Sequence, residues 1–379
     1  MKAKIPLLIF LSAILLYQCE ETNPIIPIAD ANFLNELLRR GVDNNGDGEI
    51  SQDEAELVSY LDVRGADISD ISGIERFINL DTLICSKNRI RDIDLSGFRM
   101  LKKLDCSYNR LVSLDASNNL MLKDLNCDEN NISDLEVTAC TALEILRCYQ
   151  NRLISLDITS NVALKYLDCN VSNIRELNVT NNIALEFLNC TNNPYLTSLD
   201  VSKNYFLKTL RCSSCSLTSL DVSKNNFLES LLCGGNHLTT LDVSHNTALT
   251  YLYCVVNQLT ALDVSKNLEL YDLNFEHNQL DSIDMSVNVK LKSLSCIGND
   301  LEFIDVTNNP LLEVLACSSN PLSQLDISSN KELKLLWIED IPTLHDVCVW
   351  TLPFPPENLQ FKSQNSPNVS FLMQSLIHI

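Results

Sequence analysis

Histidine and positive charge are both scarce in this chain. The 379 residues include five His, too scattered to place a base beside a nucleophile, and 28 Lys and Arg against 49 Asp and Glu. Because no nucleophile and base can be paired, no catalytic site can be assigned, and we do not expect an enzyme. The formal net charge of −21 argues against nucleic acid or an anionic membrane surface as the partner.

The sequence also lacks an apolar run long enough to cross a bilayer. The run from Ile5 to Leu16 is shorter than the roughly 20 residues that a membrane helix needs. Lys2 and Lys4 precede it, which is the arrangement of a secretory signal peptide. We therefore predict a signal peptide at residues 1–18 and export across the inner membrane.

The residues after this run resemble the start of a mature bacterial lipoprotein, in which the first cysteine is lipidated after cleavage. Cys19 and the two glutamates that follow it carry the resemblance, whereas Tyr17 and Gln18 stand where that motif usually has small residues. The resemblance implies a lipidated linker at residues 19–29 and a protein anchored by its lipid at the bacterial outer membrane or cell surface. The alternative is ordinary secretion.

One pattern recurs almost every 21 residues from Leu80 to Ile338, namely L-x-x-L-x-C-x-x-N-x-L-x-x-L-D-V-S-x-N-x-x. A fixed period of this length is the signature of a solenoid, in which each coil buries its apolar edge only against its neighbours. One inserted residue near Pro194 and Tyr195 interrupts the period. The alternation within L-x-x-L-x-C predicts a short strand in each coil, with Leu and Cys facing the core.

Eleven of the fifteen cysteines occupy the same position of the repeat, where Phe275 is the single replacement between Cys85 and Cys317. Side chains stacked in register point the same way, whereas a disulfide needs converging Cβ vectors. We therefore interpret these cysteines as buried free thiols that pack as small hydrophobic residues, in preference to a metal or redox site.

Polar residues recur at fixed positions as well. Most coils have Asn three residues after the cysteine position, with Ser172 and Cys215 as exceptions, and another Asn near the end of the coil. Inward amides of this kind satisfy the backbone of tight turns. The L-D-V-S segment favours local hydrogen bonds between Asp and Ser, which predict turns or short extended pieces on the far side of each coil instead of a long helix.

The coils resemble bacterial leucine-rich repeats, and the 21-residue length with its cysteine position is similar to members of the internalin family. The resemblance covers residues 61–340. It implies a mainly β, curved, right-handed leucine-rich-repeat solenoid, with a parallel sheet on the concave side and short turns or 3-10 pieces on the convex side. It also implies a role in binding, but a fold does not identify a ligand.

Residues 30–60 precede the solenoid and contain a calcium-loop pattern. Helical spacing over residues 30–41 is followed by twelve residues that resemble one half of an EF-hand or a dockerin, with Gly48 at the sharp turn. The oxygen ligands that the pattern predicts are Asp43, Asn45, Asp47, the carbonyl of Glu49, Ser51 and bidentate Glu54.

This segment predicts one structural Ca²⁺ site of weak affinity, roughly 10⁻⁴ to 10⁻³ M, because no second loop is visible. We expect the helix-loop-helix to cap the N-terminal end of the solenoid, where Leu61 and Val63 would otherwise face water. The alternative is an acidic, glycine-rich turn between two helices with no bound metal. At the other end the period fails, and residues 341–379 are predicted to form the C-terminal cap, with residues 368–371 as a candidate last strand.

Two apolar clusters are predicted on the concave face. The first is an apolar stripe of Ile145, Tyr166 and Phe187 at one position of three successive coils, flanked by Tyr149 and Val171. The second comprises Leu232, Tyr251, Tyr253, Val255 and Val256. Exposed apolar patches tend to mark interaction sites, and Tyr is enriched in binding hot spots. The alternative is that these residues only stabilise the sheet through cross-strand pairing.

The clusters favour a protein that recognises a protein partner on its concave face, in adhesion or another surface interaction. The alternative function is a carbohydrate-binding or structural surface-scaffold component, because tyrosines stack on sugar faces. Arg147 and Arg211 offer positive charge to an anionic ligand. The acidic residues close to them favour solvated networks instead, namely Asp105, Asp124, Asp128 and Asp168.

Overall fold

The computed structural model describes residues 23–366 and 369–373, so that the predicted signal peptide and Cys19 lie outside the described residues. The described part contains two α-helices, α1 Ala31–Arg39 and α2 Gln52–Glu56, and a 3-10 helix at Ile74–Arg76. Its strands are three or four residues long. They are β1 Tyr60–Asp62, β2 Thr82–Ile84, β3 Lys103–Asp105, β4 Ser113–Asp115, β5 Asp124–Asn126, β6 Asp134–Glu136, β7 Ile145–Arg147, β8 Tyr166–Asp168, β9 Phe187–Asn189, β10 Thr209–Arg211, β11 Ser230–Leu232, β12 Tyr251–Tyr253, β13 Asp272–Asn274, β14 Ser293–Ser295, β15 Val314–Ala316, β16 Gln324–Asp326, β17 Leu335–Trp337, β18 Asp346–Val349, β19 Gln360–Lys362 and β20 Ser370–Met373.

Fifteen of the described strands form one parallel sheet, in the order β1-β2-β3-β5-β7-β8-β9-β10-β11-β12-β13-β14-β15-β17-β19. Neighbouring strands pair in register one coil apart, so that Leu167 lies between Leu146 and Leu188. At about 4.8 Å between strands, the sheet extends on the order of 65 Å along the stack. The predicted leucine-rich-repeat solenoid is confirmed, and this sheet forms its concave side.

The cysteines form a continuous row beneath this sheet. All eleven at the repeat position are buried free thiols, as predicted. Several donate to a backbone carbonyl of the following coil, as Cys127 Sγ does to the carbonyl of Arg147 at 3.4 Å. Burial raises the pKa of Cys233 to about 12, so this thiol stays protonated near neutral pH. The row therefore serves packing.

An asparagine after most strands of the concave sheet joins adjacent coils. The Nδ2 group of Asn130 donates to the carbonyls of Cys106 and Cys127, both at 3.1 Å. Its Oδ1 accepts from the amide of Leu111 at 2.9 Å. One side chain thus satisfies backbone groups in two coils, as predicted. At the exception Ser172, the hydroxyl is buried with no hydrogen-bond partner in the described structure.

The convex side consists of turns and short extended pieces, as predicted. The amide of Ser244 donates to Asp242 Oδ1 at 2.9 Å, and the amide of Ser223 makes the same contact with Asp221. These local hydrogen bonds fix turns on the convex side, where no long helix forms in the described coils. Short strand pairs complete this side, with β4 beside β6 and β16, β18 and β20 in one three-stranded sheet.

The two helices pack at the N-terminal end of the stack. Oδ1 of Asp30 caps α1 by accepting from the amide of Phe33 at 3.0 Å. Oδ2 of the same carboxylate accepts from the amide and hydroxyl of Ser69, at 2.9 and 2.8 Å, which ties α1 to the first coil. Phe33 joins Leu61 and Val63 in one buried core, so these strand residues are shielded from water.

The concave sheet continues past residue 340, the predicted limit of the solenoid. β19 pairs with β17, with Phe361 opposite Leu336, while β18 and β20 extend the convex sheet. Strand pairing uses backbone groups, so it continues where the side-chain period fails. Phe354 packs against Phe361 and Phe371, with ring centroids 5.7 and 4.7 Å away. The predicted last strand is observed at Ser370–Met373, and Asn368 lies outside the described residues.

Candidate functional site

The apolar stripe lies on three adjacent strands of the concave sheet. Ile145 on β7 is opposite Tyr166 on β8, which is opposite Phe187 on β9. The rings of Tyr166 and Phe187 are stacked, with centroids 4.3 Å apart and planes within 2° of each other. All three side chains are half-buried, because each covers part of its neighbour. The stripe is a continuous apolar surface.

An arginine extends over each end of the stacked pair. The guanidinium carbon of Arg147 lies 5.0 Å from the centroid of Tyr166, and that of Arg211 lies 5.7 Å from the centroid of Phe187. Arg147 also pairs with Asp124 at 3.0 Å, which is the predicted network. Arg211 has no ion pair within the described part of the chain, so its positive charge remains available beside an aromatic ring.

A buried carboxyl borders the stripe. Asp128 is 4% exposed and its Oδ1 accepts from the amide of Tyr149 at 2.8 Å. Burial raises the pKa of Asp128 to about 7, and the nearby charge of Asp168 acts in the same direction. The group therefore titrates closer to neutral pH than an ordinary surface carboxylate does.

Tyr149 flanks the stripe as predicted, but its hydroxyl is already engaged. It donates to Glu129 Oε1 at 3.1 Å and lies 3.1 Å from the hydroxyl of Tyr108. A partner on this side would therefore meet an organised polar edge instead of a free phenol. Val171, the other flanking residue, is exposed.

Tyr251 and Tyr253 of the second cluster line a shallow cavity of about 400 Å³ on the concave face, whereas Val255 and Val256 are not part of its lining. Tyr251 is 42% exposed, while Tyr253 donates to Asp272 Oδ2 at 2.6 Å. The cavity is also lined by Thr209, Arg211, Glu229, Ser230, Leu232 and Thr250. It exists because small residues on β10 and β11 separate the aromatic residues on β9 and β12.

The structure thus places the two predicted clusters on either side of one depression. Residues of the first strand position run Phe187, Thr209, Ser230, Tyr251 along four successive strands. This large-small-small-large order is visible in the aligned repeats, and it is the signal that sequence reasoning missed. Arg211 lies between the two clusters, because its guanidinium lies over the ring of Phe187 and its side chain also lines the cavity.

The predicted calcium loop connects α1 and α2. Side-chain oxygens of the predicted ligands accept from amides of the same loop, as Asp43 does from Gly46 and Gly48 at 2.6 and 2.9 Å. Asn45 and Asp47 make equivalent contacts at 2.8 and 2.9 Å. These bonds organise the loop with oxygen-bearing side chains, which are the ligand type that Ca²⁺ prefers.

Glu54 joins the two ends of this loop. Its Oε1 accepts from the amide of Asn44 at 3.0 Å, and its Oε2 accepts from the amide and hydroxyl of Ser51 at 2.9 and 2.7 Å. The hydrogen bonds from Ser51 hold the pKa of Glu54 below its usual range, so the carboxylate is ionised. Across the described residues, no three His, Cys, Asp or Glu side chains form a metal cluster. The Ca²⁺ site therefore stays a prediction.

Solved structures of known proteins share the fold of this chain. No protein-family model and no curated protein matches the chain, but solved structures do. The functional domain of InlJ from Listeria monocytogenes, which includes a cysteine ladder, is 31% identical, with a TM-score of 0.65 over 79% of this chain and 70% of that one.

Two further structures share the fold at lower identity. A leucine-rich-repeat protein of Leptospira interrogans is 22% identical, with a TM-score of 0.70 over 88% of this chain and 94% of its own. The plant peptide hormone receptor RGFR1, solved in complex with RGF2, is 19% identical, with a TM-score of 0.58 over 80% of this chain and 61% of its own.

The in-register parallel stack and its cysteine and asparagine ladders define a leucine-rich-repeat solenoid. On its identity to the InlJ domain, the chain belongs to the internalin-like family of cysteine-ladder leucine-rich-repeat proteins. Such a fold supports protein interaction. None of the helices in the described segments is long and apolar enough to cross a membrane.

Proposed function

We propose that this chain is an exported, lipid-anchored binding protein whose concave face recognises a protein partner in adhesion or another surface interaction. The observation that carries the proposal is the stacked pair Tyr166–Phe187, with an unpaired Arg211 over one ring. Aromatic residues and arginine dominate the energetics of protein interfaces. Because the two rings already stack on each other in the free chain, less entropy is lost when a partner binds.

The depression beside the stripe supports a partner that inserts a side chain. Its floor is formed by Thr209 and Ser230, and its wall by Tyr251 and Tyr253. Aromatic rings around a small concave floor suit an apolar or aromatic anchor residue. Arg211 would then meet an acidic residue or a carbonyl of the same partner.

At the level of the fold, known structures are consistent with this proposal. RGFR1 was solved in complex with RGF2, so a solenoid of this kind accommodates a bound ligand. A likeness at 19% identity concerns the fold alone.

Export and anchoring belong to the same proposal. The apolar run from Ile5 to Leu16 and the following Cys19 support cleavage and lipidation at the cell envelope. A single acyl chain binds membranes only marginally, so a stable anchor needs more than one. We propose an outer-membrane or cell-surface location, with lipid at Cys19 as the contact with the membrane.

Calcium is proposed as a structural ion of the N-terminal cap. Asp43, Asn45 and Asp47 would supply side-chain oxygens, Glu49 its carbonyl, Ser51 its hydroxyl and Glu54 its carboxylate. Bound there, the ion would neutralise carboxylates that otherwise repel each other. Ile26 donates its amide to the carbonyl of Ile50 at 2.7 Å, so a rigid loop would also hold the chain segment before α1.

A direct test uses the mature chain, residues 19–379, against panels of purified extracellular proteins and glycans. We expect wild type to bind a protein and the double variant Tyr166→Ala, Phe187→Ala to lose at least about tenfold in affinity, or 1.4 kcal/mol. Phe206→Ala is a matched control, because Phe206 is an exposed aromatic residue before β10. Equal binding by wild type and the double variant would remove the stripe from the proposal. Binding to glycans alone would favour the carbohydrate alternative.

A further inference from the structure

The inserted residue of the repeat is accommodated outside the concave sheet. The coil that carries it still pairs Phe187 in register with Thr209, so the extra length enlarges the turn at Pro194 and Tyr195. The hydroxyl of Ser216 donates to the carbonyl of Pro194 at 2.8 Å, which holds the enlarged turn to the next coil. The departure from the repeat is therefore an ordered feature.

This turn borders a groove of about 830 Å³, about twice the volume of the concave cavity. It lies toward the convex side, where the L-D-V-S segments run, and its volume falls within the roughly 300 to 1,000 Å³ of small-ligand sites. The residues that matter here are Arg175, Glu176, Asn178, Tyr195, Ser198 and Asp200. Most are polar, and one is aromatic.

Tyr195 supplies a ring surface at the mouth of the groove. It is 55% exposed, and the guanidinium carbon of Arg175 lies 5.6 Å from its centroid. Arg175 forms no ion pair among the described residues, although the chain has a large excess of carboxylates. Its guanidinium donors are therefore free to meet a ligand.

Asn178 changes the chemistry of the repeat at this site. It stands where ten of twelve coils have Asp, and its Oδ1 makes the usual contacts, from the amide and hydroxyl of Thr180 at 3.1 and 2.7 Å. The substitution therefore preserves the turn and replaces the other carboxylate oxygen with an amide donor. In the next coil, Asp200 keeps its carboxylate, with Oδ1 accepting from the amide of Ser202 at 2.9 Å.

We propose that this groove binds a neutral saccharide, with one sugar ring against Tyr195. Adjacent sugar hydroxyls both donate and accept, which suits the amide donor of Asn178 beside the carboxylates of Glu176 and Asp200. The C–H face of a sugar suits the exposed aromatic ring. One Arg175 against two carboxylates leaves the groove net negative, which disfavours an anionic ligand. The site is separate from the concave stripe and does not depend on the protein partner proposed above.

Isothermal titration of the mature chain tests this with neutral cellohexaose, maltohexaose, chitohexaose and xylohexaose, and with an anionic heparin hexasaccharide. We expect a neutral hexasaccharide to bind, and Tyr195→Ala and Asn178→Asp each to weaken it about tenfold or more. Asn178→Asp restores the repeat and keeps the turn, so its effect reports the lost donor and not misfolding. Tyr205→Ala, at a residue 45% exposed, should leave binding unchanged.

Three results would overturn the proposal. They are no binding of any neutral hexasaccharide at millimolar concentration, unchanged binding by Tyr195→Ala, and tighter binding of the heparin fragment than of the neutral sugars. Thermal melts of each variant establish that it is folded. The lining of the groove contains none of the stripe residues, so failure of saccharide binding here and failure of protein binding at the stripe are separate results.

Discussion

Removing one rung of the asparagine ladder should weaken the solenoid at a defined place. Nδ2 of Asn257 donates to the carbonyls of Cys233 and Cys254 at 3.1 and 3.0 Å, and Oδ1 accepts from the amide of Leu238 at 3.1 Å. Asn257→Ala removes these three bonds and leaves buried groups without partners. At about 1 kcal/mol for each bond, and more for each orphaned group, we expect a loss of about 3 to 5 kcal/mol in the free energy of unfolding.

Unfolding experiments should also show where along the solenoid Asn257→Ala lowers stability. In a stack where each coil contacts only its neighbours, a weak interface separates the unfolding of the two halves. Both tryptophans, Trp337 and Trp350, lie C-terminal to Asn257. In urea titrations, Trp fluorescence should therefore report the C-terminal part while far-UV circular dichroism reports the whole chain, and their midpoints should diverge in the variant.

Ser172→Asn is the reciprocal change, because it adds the missing amide where the buried hydroxyl of Ser172 lacks a partner in the described structure. We expect a gain of about 1 to 2 kcal/mol. A loss below about 1 kcal/mol for Asn257→Ala, together with no gain for Ser172→Asn, would refute the ladder as a source of stability.

Three further predictions concern pH, calcium and the lipid. The pKa of Asp128 is about 7 in the folded state, against an ordinary 3.8. Between these pH values the folded state holds a proton that the unfolded state has released, so the free energy of unfolding should fall as pH rises from about 4 to 7. Asp128→Asn should remove up to about 4 kcal/mol of that fall, and equal pH profiles for both proteins would contradict the assignment. Chelation of Ca²⁺ should lower the melting temperature of the wild type but not of Asp47→Ala, and an unchanged wild type would exclude a structural ion. Cys19→Ala should lose metabolic labelling by palmitate and leave the membrane fraction, whereas persistent labelling would place the lipid elsewhere.

Much of the fold was predictable because its information is periodic. Leu and Cys at fixed spacing specify buried strands, and Asn and Asp at fixed spacing specify the turns that join them. The sheet beyond the predicted boundary at residue 340 was not predictable in this way, because β19 continues the sheet without the side-chain repeat. Backbone pairing needs only aligned amides and carbonyls, which leave no signature in the sequence.

The residues of the candidate site could be predicted from the sequence, but their geometry could not. The positions of Tyr166 and Phe187 placed them on one face, yet only the structure shows their rings stacked at 4.3 Å and half-buried. It also distinguishes Arg147, which pairs with Asp124, from Arg211, whose charge stays unpaired in the described chain. Rotamers and ion pairs depend on neighbours one coil away, and these are selected by local packing.

The sequence by itself determined the solenoid, the packing role of its cysteines and the composition of the loop from Asp43 to Glu54, because each of these follows from spacing along the chain. Only the tertiary structure decided that small residues between Phe187 and Tyr251 open a cavity on the concave face. It likewise decided that the insertion at Tyr195 borders a larger groove on the opposite side. Cavities arise where side chains from different coils fail to fill the space between them, and that depends on three-dimensional packing and not on periodicity.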